Sequence, residues 1–74
     1  MPLVEVKVLE NVFSKEQKRE LIERVTDLFI ELEGEHMRPV TTVLVEEVHD
    51  GSWGVGGNAI SSADVSAMKA AAAR

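Results

Sequence analysis

The stretch LVEVKVLENVFSKEQ, residues 3–17, contains the change of periodicity that decides the fold. Valines alternate with charged residues in its first part, and this period of two predicts a half-buried β-strand over residues 3–9. Ser14 then precedes Gln17 by three residues, which is the capping box that marks the start of a helix. We therefore predict a strand and a short loop, followed by a helix that begins at Lys15.

The helix is predicted to run from Lys15 to about Glu33, because apolar residues recur there at spacings of three and four. The residues of this stripe are Leu21, Ile22, Val25, Leu28, Phe29 and Leu32. Gly34 provides a stop signal, and the GEHMRP segment is expected to be a loop because Pro39 disfavours continuation of the helix. Residues 40–48, rich in Val and Thr, predict a second strand.

A strand, a long helix and a second strand form a β-α-β unit, whose strands are expected to be parallel with a right-handed crossover. The helix of this α/β (α+β) protomer covers only one face of the sheet, and two strands alone are not stable. The chain has 74 residues, no cysteine and 45% hydrophobic residues. We therefore expect a single domain, residues 1–74, that completes its core by pairing with further copies of itself.

The C-terminal third of the chain is expected to contain a small hairpin and a helix. HDGSWGVGG, residues 49–57, is rich in glycine and predicts a tight loop or hairpin. SADVSAMKAAAA, residues 62–73, has helical propensity and could be capped by Ser61 or Ser62. Because its alanines have little surface to bury, we expect this helix to fray or to pack on a neighbouring subunit.

The composition argues against several classes of partner. The net charge is −5, with 13 acidic and 8 scattered basic residues, which argues against nucleic acid. No apolar run approaches the ~20 residues that a membrane-spanning helix needs, and no signal peptide is visible. We therefore expect a soluble cytoplasmic protein without a nucleic-acid or membrane partner.

Two short motifs are weak candidates for ligand sites. GVGG, residues 54–57, lacks the strand and long helix that flank a dinucleotide-binding loop, so we interpret it as a turn that requires positive φ. Glu47 and His49 resemble part of a metal site, but His36 is the only other histidine, and metal sites need three or four ligands. We therefore expect no metal and interpret His49 as a solvated histidine at a strand end.

Pro2 is the candidate with a chemical role. Proline fits the first position of a strand because it has no N–H to donate, and on composition alone this is the simpler interpretation. If Met1 is removed, however, Pro2 becomes a free secondary amine. Burial among apolar side chains, or a nearby cation, would lower the pKa of that amine and make it an efficient base near neutral pH. The apolar residues expected around it are Leu3, Val8, Leu9, Val48, Trp53 and Val55.

Four segments together resemble the 4-oxalocrotonate tautomerase family. They are PLVEVKVLEN, SKEQKRELIERVTD, RPVTTVLVEEV and WGVGG. The resemblance extends from Pro2 to about Ile60, and its most specific features are the N-terminal proline, E-Q-K after the capping serine, P-x-T-x-V and aromatic-G-x-G-G. It implies a tautomerase/MIF-like fold in which β-α-β protomers assemble into homo-oligomers, commonly hexamers.

The resemblance also implies a function. Members of the family use the amino-terminal proline as a general base that moves a proton within an enol or dienol α-keto acid, without a metal or organic cofactor. Carried over to this chain, Pro2 is the catalytic base and acid, and Trp53 takes the family's aromatic position as a wall of the substrate pocket. Leu9 is expected to contribute to the same apolar pocket.

Two positions depart from the family pattern. The arginines that hold the substrate carboxylates in the well-studied dicarboxylate tautomerases are replaced here by Val12 or Phe13 and by Leu44. These replacements remove a bidentate carboxylate contact and favour an apolar, monocarboxylate or aryl-substituted enol substrate, with Leu44 in its binding site. Arg38 and Lys7 are the candidate replacement cations, although most such side chains are solvated.

Two alternatives stay open on the sequence. The chain could be a non-catalytic oligomeric scaffold that kept the fold and lost the arginines, because a fold does not determine a function. It could also be a tautomerase relative that acts as a hydratase or dehalogenase, which would require a carboxylate such as Glu46 or Glu47 to activate water. Substitution of Pro2 separates an essential base from a residue that only starts a strand.

Overall fold

The computed structural model describes residues 1–72, and it contains a β-α-β unit followed by a hairpin and a helix. The elements are β1 (Leu3–Leu9), α1 (Lys15–Glu33), a 3₁₀-helix (Glu35–Val40), β2 (Thr42–Val48), β3 (Trp53–Val55), β4 (Asn58–Ile60) and α2 (Ser62–Ala72). β1 and β2 pair in parallel, and β3 and β4 form an antiparallel hairpin. The predicted fold class is confirmed. Ala73, the last residue of the predicted C-terminal helix, lies outside the described residues.

Both ends of α1 are set by residues that the sequence singled out. The Ser14 hydroxyl accepts a hydrogen bond from the Gln17 N–H at 3.1 Å, and the Ser14 N–H donates to the Gln17 side-chain oxygen at 2.8 Å. Gly34 ends the helix with a φ of 101°, which favours glycine, and its N–H donates to the Ile30 carbonyl at 2.8 Å. The predicted bounds of the helix are confirmed.

The segment after α1 corrects one prediction, because it is a 3₁₀-helix (Glu35–Val40) instead of a loop. The Met37 N–H donates to the Gly34 carbonyl at 3.1 Å, with the three-residue spacing of that helix. Pro39 is accommodated because its fixed φ also suits 3₁₀ geometry. The second strand consequently begins at Thr42, two residues later than predicted.

The two faces of the β1–β2 sheet have different surroundings. Val4, Val6 and Val8 are half-buried or buried on the face that α1 covers. On the opposite face, Leu3 is 59% exposed and Leu44 is 41% exposed. The alternation predicted from the sequence is therefore present, and the face opposite α1 is open at Leu3 and Leu44.

The apolar stripe of α1 is rotated relative to the prediction. Ile30, which the predicted stripe does not include, is buried, whereas Leu28 and Leu32 are 55% and 79% exposed. Lys18 forms an ion pair with Glu47 of β2, so this lysine lies on the sheet-facing side of the helix. The spacing of apolar residues alone does not predict which side of α1 faces the sheet, because apolar residues occur on more than one face of the helix.

The protomer leaves much of its apolar surface uncovered. Among residues 1–72, only Val8, Leu9 and Ile30 are buried, although 45% of the chain is hydrophobic. The radius of gyration is 15.3 Å, compared with about 11 Å for a compact domain of this length. No helix in the described part of the chain is long and apolar enough to cross a membrane. Burial of the uncovered apolar surface against further copies of the chain stays a prediction.

Candidate active site

An open cavity of about 390 Å³ lies at the carboxyl end of β1. Lys7, Val8 and Leu9 form one side of it, and Leu9 is only 6% exposed. The volume falls within the range of cavities that bind small molecules, and most of the lining side chains are apolar. The cavity can therefore hold the hydrocarbon part of a small ligand against apolar side chains.

The β3–β4 hairpin supplies an aromatic wall of the cavity. Trp53 of β3 pairs with Ile60 of β4, and both side chains line the cavity. Gly56 and Gly57 lie between the two strands with φ values of 59° and 84°, the positive range that a two-residue hairpin turn of this kind requires. The prediction of a turn at GVGG is confirmed, and this turn allows the hairpin to present Trp53 to the cavity.

The loop after β1 and helix α2 form two further sides of the cavity. Val12 and Phe13 belong to the loop, and Val65 and Met68 belong to α2. The sequence reasoning missed the two α2 residues, because it treated this alanine-rich helix as having little to bury. The available signal was their spacing of three, which places both side chains on one face of a helix.

Pro2 lies at the opposite end of β1 from the cavity. It is half-buried, and its carbonyl accepts a hydrogen bond from the Thr42 N–H at 3.1 Å, next to the first pair of the parallel ladder. The six residue steps from Leu3 to Leu9 span about 20 Å at the usual rise of a strand. Pro2 does not line the cavity, so a single protomer keeps the candidate base apart from Leu9 and Trp53.

Leu44 and Arg38, the other two candidate binding residues, also lie outside the cavity lining. Leu44 is in the middle of β2, next to Glu5 in the register, on the sheet face that α1 leaves open. The Arg38 guanidinium forms ion pairs with Glu35 at 2.7 Å and with Asp27 at 3.0 Å. These hydrogen bonds raise the pKa of Arg38, and the bond from Arg38 lowers the pKa of Glu35. Within one protomer, Arg38 is thus engaged in its own ion-pair cluster.

The remaining charged candidates have partners within the protomer. Lys7 lines the cavity, and its ammonium lies 3.2 Å from the Glu46 carboxylate. The Glu47 carboxylate accepts a hydrogen bond from Lys18 of α1, and that bond lowers the pKa of Glu47. His49 Nδ1 lies 3.1 Å from Glu10. Among residues 1–72, no three histidine, aspartate or glutamate side chains come together as ligands for a metal ion.

Comparisons with known sequences point to one family. The sequence profile described as "Tautomerase enzyme" matches residues 2–63. The chain is similar to "Probable tautomerase K2" of Dickeya dadantii (strain 3937), with 36% identity over 61 residues. This similarity covers 81% of the present chain and 88% of the relative, so it includes most of both proteins.

Comparisons with solved structures agree with the sequence matches. The crystal structure of YwhB, a homologue of 4-oxalocrotonate tautomerase, is similar with a TM-score of 0.70 and 36% identity, over 78% of this chain and 92% of that chain. The crystal structure of DmpI from Helicobacter pylori gives a TM-score of 0.67 and 30% identity, over 78% of this chain and 94% of that chain. Both similarities include nearly the whole of the compared protein.

Proposed function

Because this chain belongs to the tautomerase family, we propose that it is an isomerase that moves a proton within an enol or dienol α-keto acid, with Pro2 as general base. No metal or organic cofactor takes part in the proposed reaction. The observation that carries the proposal is the position of Pro2, which is the first residue of the family match and directly precedes β1. The hydrogen bond from β2 to its carbonyl holds the residue against the sheet.

The proposed chemistry requires a free nitrogen at Pro2. Removal of Met1 converts this nitrogen from an amide into a secondary amine that accepts a proton. With an enol substrate, the amine takes the hydroxyl proton, and the electron pair left on oxygen forms the C=O bond. The C=C electron pair then takes a proton from the prolinium to form a C–H bond, which regenerates the base. General acid–base catalysis of this kind contributes about 10²–10⁴-fold to a rate.

The separation along β1 supports a site built from more than one protomer. The strand places about 20 Å between its two ends, which is longer than a small enol acid. A second copy that packs on the open face of the sheet would bring its own cavity toward Pro2 of the first copy. Leu3 and Leu44, both exposed on that face, provide apolar surface for such packing. We therefore propose a homo-oligomer, a hexamer by the family resemblance, in which Pro2 of one protomer meets Trp53 of another.

The cavity favours a substrate with an aromatic or other apolar group. Trp53 and Phe13 are among its lining residues, together with aliphatic side chains from β1, the hairpin and α2. By the family resemblance, Val12 or Phe13 stands in place of one carboxylate-binding arginine, and Leu44 stands in place of the other. An aryl-substituted enol monocarboxylate therefore fits the proposed site better than a dicarboxylate.

Ketonisation of an aryl enolpyruvate by the processed protein tests the proposal. Intact mass first establishes that Met1 has been removed from both the wild type and the Pro2→Ala variant. Pro2→Ala is expected to lower kcat/KM by about 10²–10⁴-fold, because it replaces the secondary amine of the proline ring with a freely rotating primary amine of lower basicity. The matched control is Pro39→Ala, which changes the other proline of the chain and is expected to keep activity within a few-fold of wild type.

Each part of the proposal has its own contrary result. Equal activity of Pro2→Ala and the wild type would overturn the role of Pro2 as the base. A clear preference for a dicarboxylate enol would overturn the substrate class and leave the base in place. No activity of the processed protein toward either substrate class would favour the non-catalytic scaffold.

A further inference from the structure

Helix α2 extends beyond the part of the chain that matches the tautomerase family. The match ends at residue 63, whereas α2 runs from Ser62 to Ala72. Val65, Met68 and Lys69 follow one another at spacings of three and one, so that all three lie toward one side of the helix. Val65 and Met68 line the cavity, and α2 therefore adds a wall that the matched region lacks.

The start of α2 is tied to the strand ends by side-chain hydrogen bonds. The Asp50 carboxylate accepts hydrogen bonds from the Ser62 N–H at 2.9 Å and from the Ser62 hydroxyl at 3.0 Å. The Asp50 N–H in turn donates to the Glu10 carboxylate at 2.9 Å, next to the end of β1. These bonds fix where the first turn of α2 lies relative to the cavity.

A capping box fixes the same end of the helix. The Ser61 hydroxyl accepts a hydrogen bond from the Asp64 N–H at 3.3 Å, and the Asp64 carboxylate accepts one from the Ser61 N–H at 2.8 Å. The predicted capping role therefore belongs to Ser61. With its first turn fixed in this way, α2 directs Val65 and Met68 to the cavity.

Lys69 lies beside two residues of the cavity wall. Its ammonium is 3.5 Å from the Val12 carbonyl oxygen and 6.0 Å from the centre of the Phe13 ring. Within residues 1–72, no carboxylate lies within 4.0 Å of this ammonium, in contrast to Lys7, which is paired with Glu46. An ammonium has three N–H donors, so the bond to a single carbonyl leaves donors for an anion.

We propose that Lys69 is a substrate-binding residue that holds the carboxylate of an amphipathic anion whose aryl or alkyl part lies in the cavity. The apolar wall accounts for the hydrocarbon part, and the ammonium beside Val12 and Phe13 accounts for the charge. A net charge of −5 repels anions at long range, so binding of a carboxylate needs a local cation of this kind. The identification of the bound anion as the reacting enol acid rests on the function proposed above. The binding of an amphipathic anion at this site does not depend on that function.

Equilibrium binding of two non-reacting probes tests the inference without catalysis. The probes are 3-phenylpropanoate and its neutral analogue 3-phenylpropanamide, titrated by NMR or calorimetry into the intact protein. Lys69→Gln is expected to weaken binding of the carboxylate by about tenfold and to change amide binding by less than about twofold, since only the carboxylate gains a charge-assisted contact. Lys69→Arg is expected to keep most of the carboxylate affinity, and added salt should weaken carboxylate binding only where the cation is present.

The matched control is Arg19→Gln, which removes one exposed cation of α1, a helix that contributes no residue to the cavity lining. It is expected to leave the binding of both probes unchanged. Lys69 also lies in the last turn of α2, where a cation stabilises the helix. If this were its only role, Lys69→Gln would weaken the charged and the neutral probe equally, and that result would overturn the inference.

The result also separates this inference from the proposed reaction. Lys69-dependent binding of the carboxylate in a protein without Pro2-dependent activity would support the inference and overturn the proposed function. Pro2-dependent activity with a Lys69→Gln variant that binds the carboxylate as well as wild type would do the reverse. Failure of the wild type to bind either probe would overturn the inference.

Discussion

The two ends of strand β1 differ in burial and in what surrounds them. At the carboxyl end, Val8 and Leu9 are 8% and 6% exposed, and the hairpin, the following loop and α2 converge on the cavity. At the amino end, Met1 and Leu3 are 90% and 59% exposed, and Pro2 is only half-buried. Within one protomer, the carboxyl end of β1 therefore adjoins a cavity that can bind a ligand. The amino end, which carries the candidate base, is more exposed.

The connections of the chain explain this difference. The loop after β1 and the hairpin after β2 both start at the carboxyl ends of parallel strands, so they lie at the same edge of the sheet. Among the described residues, those that directly precede the amino ends of the strands are Met1, Pro2 and the end of the 3₁₀-helix. The cavity thus follows from topology within one chain, whereas cover of Pro2 by another copy stays a prediction.

The largest effect is expected from mixing two damaged proteins. Pro2→Ala replaces the prolyl base with a primary amine, and Trp53→Ala lacks the aromatic wall, so each protein alone should be strongly impaired, the first by about 10²–10⁴-fold. If Pro2 of one protomer meets Trp53 of another, random mixed oligomers contain intact sites at about one quarter of the positions. Co-expression of the two variants with different tags should therefore restore about one quarter of wild-type activity.

The control for this mixture is each variant combined with the double variant Pro2→Ala/Trp53→Ala. Those oligomers contain no site in which both residues are intact, so their activity should stay at the level of the damaged parent. If mixed oligomers of the single variants gain no activity, Pro2 and Trp53 act within one protomer. The proposed site between two copies of the chain would then be wrong.

A smaller effect is expected on stability, and it distinguishes burial within the protomer from burial between protomers. Leu9→Ala should lower the free energy of unfolding by about 2–5 kcal/mol at any protein concentration, because Leu9 is buried in its own chain. Leu3→Ala should lower the free energy of unfolding by about 0.5 kcal/mol or less in the dilute protomer. The decrease should be larger at concentrations where the protein assembles. Urea unfolding at two protein concentrations measures both, and a concentration-independent cost for Leu3→Ala would argue against cover by a second copy.

Much of the fold could be predicted because local signals determine it. The alternation of β1, the Ser14–Gln17 capping box, Gly34 and the hairpin glycines each act through the backbone of neighbouring residues. The features that were missed depend on contacts between distant residues. The rotation of α1 that buries Ile30 depends on where the sheet lies, and the 3₁₀-helix depends on Pro39 adopting one of several geometries open to it.

The candidate site was harder to predict than the fold for the same reason. Leu9 and Trp53 were expected in one apolar pocket, and they do line the same cavity. The place of Lys69 beside Phe13, 56 residues apart in sequence, depends on the bonds that fix α2 to Asp50, which the pattern of α2 alone does not reveal. The charge of Arg38 alone makes it a candidate replacement cation, whereas its ion pairs with Asp27 and Glu35 depend on the fold.

The smallest expected effect concerns acid stability where α1 meets the carboxyl end of the sheet. The hydrogen bond from Lys18 lowers the pKa of Glu47 below its ordinary value of 4.5. A carboxyl whose pKa is lowered in the folded state stabilises the protein when the pH is above the ordinary pKa of that carboxyl. This contribution is lost as the pH falls through the lowered pKa. Urea unfolding at neutral and at acid pH should therefore show Glu47→Gln less stable than wild type at neutral pH, with the two proteins converging as the pH falls through the lowered pKa of Glu47. Glu31→Gln, a change of an exposed α1 glutamate with no ion pair among residues 1–72, should give no such convergence. A difference between Glu47→Gln and wild type that stayed the same at both pH values would mean that the Lys18 contact stabilises the fold through packing and not through charge.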